Sequence, residues 1–73
     1  MTKPGYEELE LWGGPWDGSL ETVRTDVDRI EMPWFTNGRW VTERYRRARR
    51  CREINGRRVS YFVLRFEGLT VGP

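Results

Sequence analysis

The chain contains no histidine and a single cysteine, Cys51. Without imidazole, neither a Ser-His-Asp nor a Cys-His arrangement can be assembled within one chain. The usual zinc and copper ligand sets are out of reach as well, and one thiol cannot close an intrachain disulfide. Cys51 then reads as a half-buried apolar filler rather than a reactive group, and such sparse cysteine usage fits a reducing cytoplasm. Long apolar runs are also missing. No segment approaches the roughly 20 apolar residues that span a bilayer, and Met1 to Glu10 has three acids and no hydrophobic stretch, unlike a signal peptide. These absences predict a soluble protein with no metal, no cofactor and no membrane partner.

At 73 residues the chain has room for one domain, 1–73. A domain of this size buries only about 60% of its unfolded surface, so each large apolar side chain counts. Aromatic residues make up 14% of the sequence, with Trp12, Trp16, Trp34 and Trp40 among them. Such rings serve equally as core or as interface anchors. Charge is unevenly divided. Residues 1–32 hold three basic and eight acidic groups, a net −5, whereas residues 33–73 hold ten and three, a net +7. Eight of the thirteen basic residues lie between Arg44 and Arg58. Asymmetry of this kind predicts a charged partner, inside the fold or on another molecule.

The apolar pattern has the period of strands. Met1 to Gly5 is a loose start, broken by Pro4-Gly5. Tyr6 to Trp12 alternates, with Leu9 and Leu11 on one side and Glu8 and Glu10 on the other. Ser19 to Arg24 and Val27 to Met32 read as short strands, the second ended by Pro33, which cannot donate to a ladder. Asn37-Gly38 is a tight-turn signal. Val59 to Phe66 has apolar residues at both parities, as expected of a central strand covered on both faces. Gly68 closes it, leaving residues 69–73 as a short tail.

Residues 41–54 admit two readings. As a strand, the segment pairs with Arg57 to Glu67 across Asn55-Gly56. Glu53 then faces Arg58, Cys51 faces Ser60, Arg49 faces Phe62 and Tyr45 faces Phe66. Tyr45, Cys51, Phe62, Leu64 and Phe66 share one face. As a helix, Val41, Tyr45, Ala48, Cys51 and Ile54 recur at spacings of four and three, and Gly56 supplies a stop. The Asn-Gly pair between two runs favours the strand. The fold expected is mainly β, a small antiparallel sheet of four to five strands, curled or partly closed into a barrel; the alternative is α+β with a helix over 41–54.

On a strand, Arg44, Arg46, Arg50 and Arg52 share a face and Arg47 and Arg49 take the other. Like charges at this density need solvent, acids or a bound anion. A solvated, aggregation-resistant edge is one outcome. Pairing with Glu7, Glu8 and Glu10 is a second, and recognition of an acidic protein or of phosphate is a third, well suited to the guanidinium fork. Nucleic acid gains support from Tyr45, Tyr61 and Trp40 among the arginines. No RNA-recognition, KH, zinc-finger or helix-turn-helix pattern accompanies them.

Gly13, Gly14, Pro15, Trp16, Asp17 and Gly18 form a turn cluster. No Gly-Lys-Ser/Thr follows, so the spacing does not support a phosphate loop. The glycines permit positive φ, Pro15 restricts the chain, and Asp17 can bond nearby amides. Trp16 either folds back as a lid on the core, which a domain this small favours, or stands out as an anchor. The run Leu11-Trp12-Gly13-Gly14-Pro15-Trp16-Asp17-Gly18 resembles a motif near the start of many small uncharacterised proteins of bacteriophages that infect actinobacteria. Tyr45-Arg46-Arg47 and Val59 to Gly68 resemble their Tyr-Arg-rich and closing aromatic strands. The resemblance implies a phage accessory protein working in the host bacterial cytoplasm, and brings no catalytic residues with it.

For enzymatic work the chain offers carboxylates such as Asp26 and Asp28, tyrosines and one thiol, with nothing to enclose them. The reading is therefore a non-enzymatic protein-binding module that acts on a host or phage protein with an acidic surface. Trp34, Phe35 and Trp40 are its candidate anchors, and Arg46, Arg47, Arg49 and Arg50 its charge-steering residues. Nucleic-acid binding through residues 44–58 is the alternative, and self-assembly of acidic halves on basic halves into a homo-oligomer is a third reading.

Overall fold

The computed structural model describes residues 5–72, so of the loose start expected over residues 1–5 all but Gly5, which precedes the first strand, lies outside the described residues. Five strands form one sheet: β1 (Tyr6–Trp12), β2 (Leu20–Arg24), β3 (Arg29–Thr36), β4 (Arg39–Ile54) and β5 (Arg57–Val71). No helix occurs among the described residues, so the helical alternative for residues 41–54 is overturned. The order across the sheet is β2-β1-β5-β4-β3. Three of the four pairings are antiparallel, but β1 runs parallel to β5 through Leu11–Leu64 and Trp12–Arg65, so the sheet is mixed rather than antiparallel throughout.

This order forces the sheet to curl. β2 and β3 are consecutive in sequence yet occupy opposite edges. In a flat sheet four strand spacings would separate them by about 19 Å. The link from Arg24 to Arg29 reaches at most about 17 Å fully extended, and it is shortened by a turn in which Val27 N donates to Arg24 O. The edges must approach each other, and the result is a curled half-barrel.

Alternation then assigns the faces. Leu9, Leu11, Val23, Tyr45 and Leu64 form the inner core, with Ile30, Met32 and Phe66 packed against it. Burying one such side chain contributes roughly 1.5–3 kcal/mol. Val63, at 2% exposure, is buried on the outer face beside inner Leu64, so β5 is covered on both faces there, whereas Val59 and Phe62 of the run expected to be covered are exposed. Two Asn-Gly turns shape β4. Asn37 and Gly38 (φ 50° and 73°) and Asn55 and Gly56 (φ 52° and 77°) have positive φ at both central positions, the geometry that matches strand twist in two-residue hairpins.

Two boundaries differ from the sequence reading. Pro33 does not end a strand; it sits inside β3 opposite Thr42. Proline is tolerated there because β3 is an edge strand. Residues 69–71 are not a tail, because β5 continues to Val71. A register shift at Arg44/Tyr45 leaves Glu67 unpaired in the ladder, so the strand bulges and carries on through Gly68.

Candidate functional site: an arginine track on a projecting hairpin

β4 and β5 are far longer than their neighbours. Their pairing continues unbroken from Tyr45–Phe66 to Ile54–Arg57, and the four cross-strand pairs expected from the Asn55-Gly56 turn are all present. β3 covers β4 only as far as Arg46, and β1 covers β5 only at Leu64 and Arg65. Beyond that the hairpin stands alone. Every residue from Arg49 to Ser60 is exposed. Six residues per strand make this arm roughly 20 Å long. It gives the molecule dimensions of 49 × 34 × 15 Å and a radius of gyration of 14.6 Å, against about 11 Å for a globular domain of this length.

The arm carries Arg49, Arg50, Arg52, Arg57 and Arg58 against Glu53 alone, a net +4. Both faces are basic. Arg50–Tyr61, Arg52–Val59 and Ile54–Arg57 lie on the outer face, and Arg49–Phe62, Cys51–Ser60 and Glu53–Arg58 on the inner. The outer face continues into the sheet through Ala48–Val63 and then Arg46–Arg65. Arg46, Arg65, Arg50, Arg52 and Arg57 therefore form one track, running roughly 26 Å from Arg46 to the turn. Aromatic rings hold its guanidinium groups in place. The Arg50 Cζ lies 4.3 Å from the Trp12 ring centroid and that of Arg52 5.1 Å from Tyr61.

Arg47 does not belong to the track. Its side chain is 9% exposed and crosses the open side of the half-barrel. It pairs with Glu7, donates from Nε to Val27 O at 3.0 Å and from Nη2 to Arg24 O at 3.0 Å, while its own backbone N donates to Asp28 O at 2.7 Å. It is a clasp on the β2–β3 link, and only Glu7 of the three acids on β1 pairs with an arginine among the described residues.

The proposed anchors and the arginines do not form one surface. Trp40 and Arg49 are nine residues apart along a single strand, about 30 Å. Phe35 and Trp40 are 59% and 54% exposed, stack edge-on at 5.5 Å, and flank the opposite turn. Trp34 is half-buried on the inner face, packed against Trp16 at 6.1 Å. Trp16 itself is 43% exposed, so it shields Trp34 rather than closing over the core. Cys51 is exposed on the arm, not half-buried, because the core ends before reaching it.

The glycine turn has a structural role. Gly13 N donates to Asp17 Oδ1 at 2.6 Å and Gly18 N to Leu11 O at 2.7 Å. Gly14 has φ 73°, and a Cβ there would lie 2.7 Å from the Phe66 ring, so the turn needs glycine to sit on the core. Asp26 and Asp28 lie in the β2–β3 link, Asp26 paired with Arg24 at 2.9 Å and Asp28 88% exposed. One buried group was missed in the sequence. Glu43 is fully buried on the inner face and accepts a hydrogen bond from Tyr45 Oη at 2.7 Å. Burial, this bond and the charges of Glu43 and Asp17 push the Tyr45 phenol well above its ordinary range. The signal was the alternation Val41, Glu43, Tyr45, which places the carboxylate inward, obscured by the arginines around it.

Comparison with known proteins finds no matching family, curated protein or solved structure.

Proposed function

We propose that this chain is a non-enzymatic nucleic-acid-binding protein that inserts its β4–β5 arm into a groove of a duplex. One observation carries the reading: the arm is exposed along its whole length and carries arginines on both faces, Arg50, Arg52 and Arg57 on the outer and Arg49 and Arg58 on the inner. A flat acidic protein surface would meet only one face of such a ribbon. A groove has phosphates along both walls, and the major groove is wide enough for a two-stranded ribbon. Arg50, Arg52 and Arg57 reach one wall, and Arg49 and Arg58 the other. The acidic protein partner of the sequence reading loses support because its aromatic anchors stand at the far end of β4. A phage accessory role in the host cytoplasm is the setting that the turn motif implies, and it belongs to the proposal on that resemblance alone.

The test is fluorescence anisotropy of a labelled 20-base-pair duplex across a salt series. Affinity is expected to fall steeply with salt as counterions are released. The double variant Arg52→Ala/Arg57→Ala should lower the magnitude of the log–log slope by about 2, one for each phosphate that is no longer neutralised. Absence of duplex binding at low salt would discard the proposal and return the arm to an acidic protein partner.

A further inference from the structure

The outer face holds a second oddity, at the root of the arm. Arg29 of β3 lies directly opposite Arg46 of β4, and Arg46 lies directly opposite Arg65 of β5. Next in the same row, on β1, is Trp12 opposite Arg65. Three arginines thus stand side by side across three adjacent strands. Like charges directly opposite one another destabilise a sheet. Within the row, Arg46 has a carboxylate at 3.7 Å, that of the bulged Glu67, and both side chains are partly exposed. Arg29, Arg65 and the neighbouring Arg50 have no ion-pair partner within 4.0 Å among the described residues.

The ground between these arginines is concave. Two shallow hollows of about 370 and 380 Å³ adjoin one another and share Ala48 and Arg65 in their walls. Ala48 is small, which opens the space. Buried Val63 and the Trp12 ring give it a firm base, and Arg50 is already held over that ring. Arginines gathered around such a depression, one of them already held on a ring, suit a tetrahedral oxyanion, which their forks meet through paired N–H groups.

We infer that Arg46, Arg65 and Arg50 form a seat for a phosphoryl group on the outer face, at the root of the arm. The cross-strand repulsion of Arg46 and Arg65 is relieved when a dianion lies between them. Glu67 is then the competitor that screens Arg46 until the anion binds. The phosphoryl group has two sources of the same chemistry: a backbone phosphate of the duplex held by the arm, or a free phosphorylated small molecule. The seat shares Arg50 with the arm, but it rests on a different observation, the opposed arginines and the hollow between them.

The experiment titrates the full chain with inorganic phosphate at constant ionic strength, following the arginine Nε–Hε signals by NMR. Saturable shifts confined to Arg46, Arg50 and Arg65 are expected. They should vanish in Arg65→Ala and persist in Arg57→Ala/Arg58→Ala. Glu67→Gln, which removes the competing carboxylate and keeps all three arginines, should tighten phosphate about two- to fivefold, the worth of an exposed ion pair. A thermal melt of Arg65→Ala no lower than that of the parent chain would show that lost binding is not lost folding. Uniform, non-saturating shifts at all arginines, tip residues included, would overturn the inference, as would unchanged phosphate affinity in both Arg65→Ala and Glu67→Gln. Adding unlabelled duplex to the phosphate-bound protein separates the sources. Displacement assigns the seat to a backbone phosphate, and simultaneous binding assigns it to a free ligand. Failure of the arm to bind duplex would leave the phosphate result standing.

Discussion

The strands β4 and β5 pass through two environments, and the contrast between their halves shows where this fold gets its stability. Near the barrel, Tyr45 and Leu64 are fully buried beneath β1, β3 and the glycine turn. In the arm, the same two strands keep the same register yet bury none of the residues from 49 to 60. Backbone pairing is therefore equal in the two halves, while coverage is not. An isolated hairpin is marginal in water, so the arm persists because the barrel fixes its root. Regions with little buried apolar surface open locally at low cost. The molecule has put its densest positive charge where charge costs least to hold, in full solvent, and its hydrophobic groups where the curl closes over them.

Trimming one apolar side chain in each half should separate the two environments most widely. Leu64→Ala should destabilise the protein by about 2–5 kcal/mol, because it leaves a cavity among Leu9, Leu11 and Tyr45. Val59→Ala, on the same strand but 37% exposed, should stay within about 0.5 kcal/mol. Urea unfolding of both variants measures this. Equal losses would mean that the arm folds against something, and that its exposure is not the state in solution.

Arg47 sits at the border between the halves and is the arginine of its run that clasps the β2–β3 link. Arg47→Met keeps much of the aliphatic stem and removes the clasp on Glu7, Val27 O and Arg24 O. A loss of about 1.5–3 kcal/mol is expected, the range for hydrogen bonds to a charged group. Chemical denaturation reads the loss, and duplex affinity at low salt should be nearly unchanged because Arg47 lies off the track. A variant that keeps its stability but loses duplex would move Arg47 back among the binding residues, where its sequence neighbours had placed it.

The border also marks how far sequence reading reached. Strand identity and the β4–β5 register were legible because Asn55-Gly56 lies between two runs of strand composition and a two-residue turn fixes every pair that follows. The central position of β5 was legible from Val63 and Leu64, buried at adjacent parities. The parallel pairing of β1 with β5 was not, because nothing local to either strand encodes a partner brought in by a long crossover. Pro33 misled because its missing donor rules out a central strand but not an edge. The site was half legible. The arginines were visible as a cluster, but alternation alone cannot tell a covered stretch of strand from an uncovered one. Arg47 and Arg49 share a face and differ only in whether the β2–β3 link passes over them. Trp40 and Arg49 look close in sequence, and an extended strand sets them about 30 Å apart.

The smallest effect discriminates most finely between the halves. Gly56 at the tip of the arm has φ 77°, and nothing lies within 4 Å of where a Cβ would stand. Gly56→Ala therefore introduces backbone strain of about 1–2 kcal/mol without a clash. If the arm opens independently of the barrel, that strain is released in the local opening, and a barrel that melts with its arm already open does not feel it. Amides of residues 51–59 should then exchange with solvent roughly 5–30 times faster, the factor that corresponds to such an energy. In urea sufficient to open the arm, the amides of Tyr45 and Leu64 should keep their protection, and the urea midpoint should not move. A fall in the midpoint accompanied by faster exchange at Tyr45 would mean that arm and barrel unfold as one unit. The arm would then be part of the folding core despite its exposure, and the duplex-binding variants at Arg52 and Arg57 would need to be read with their stability measured alongside.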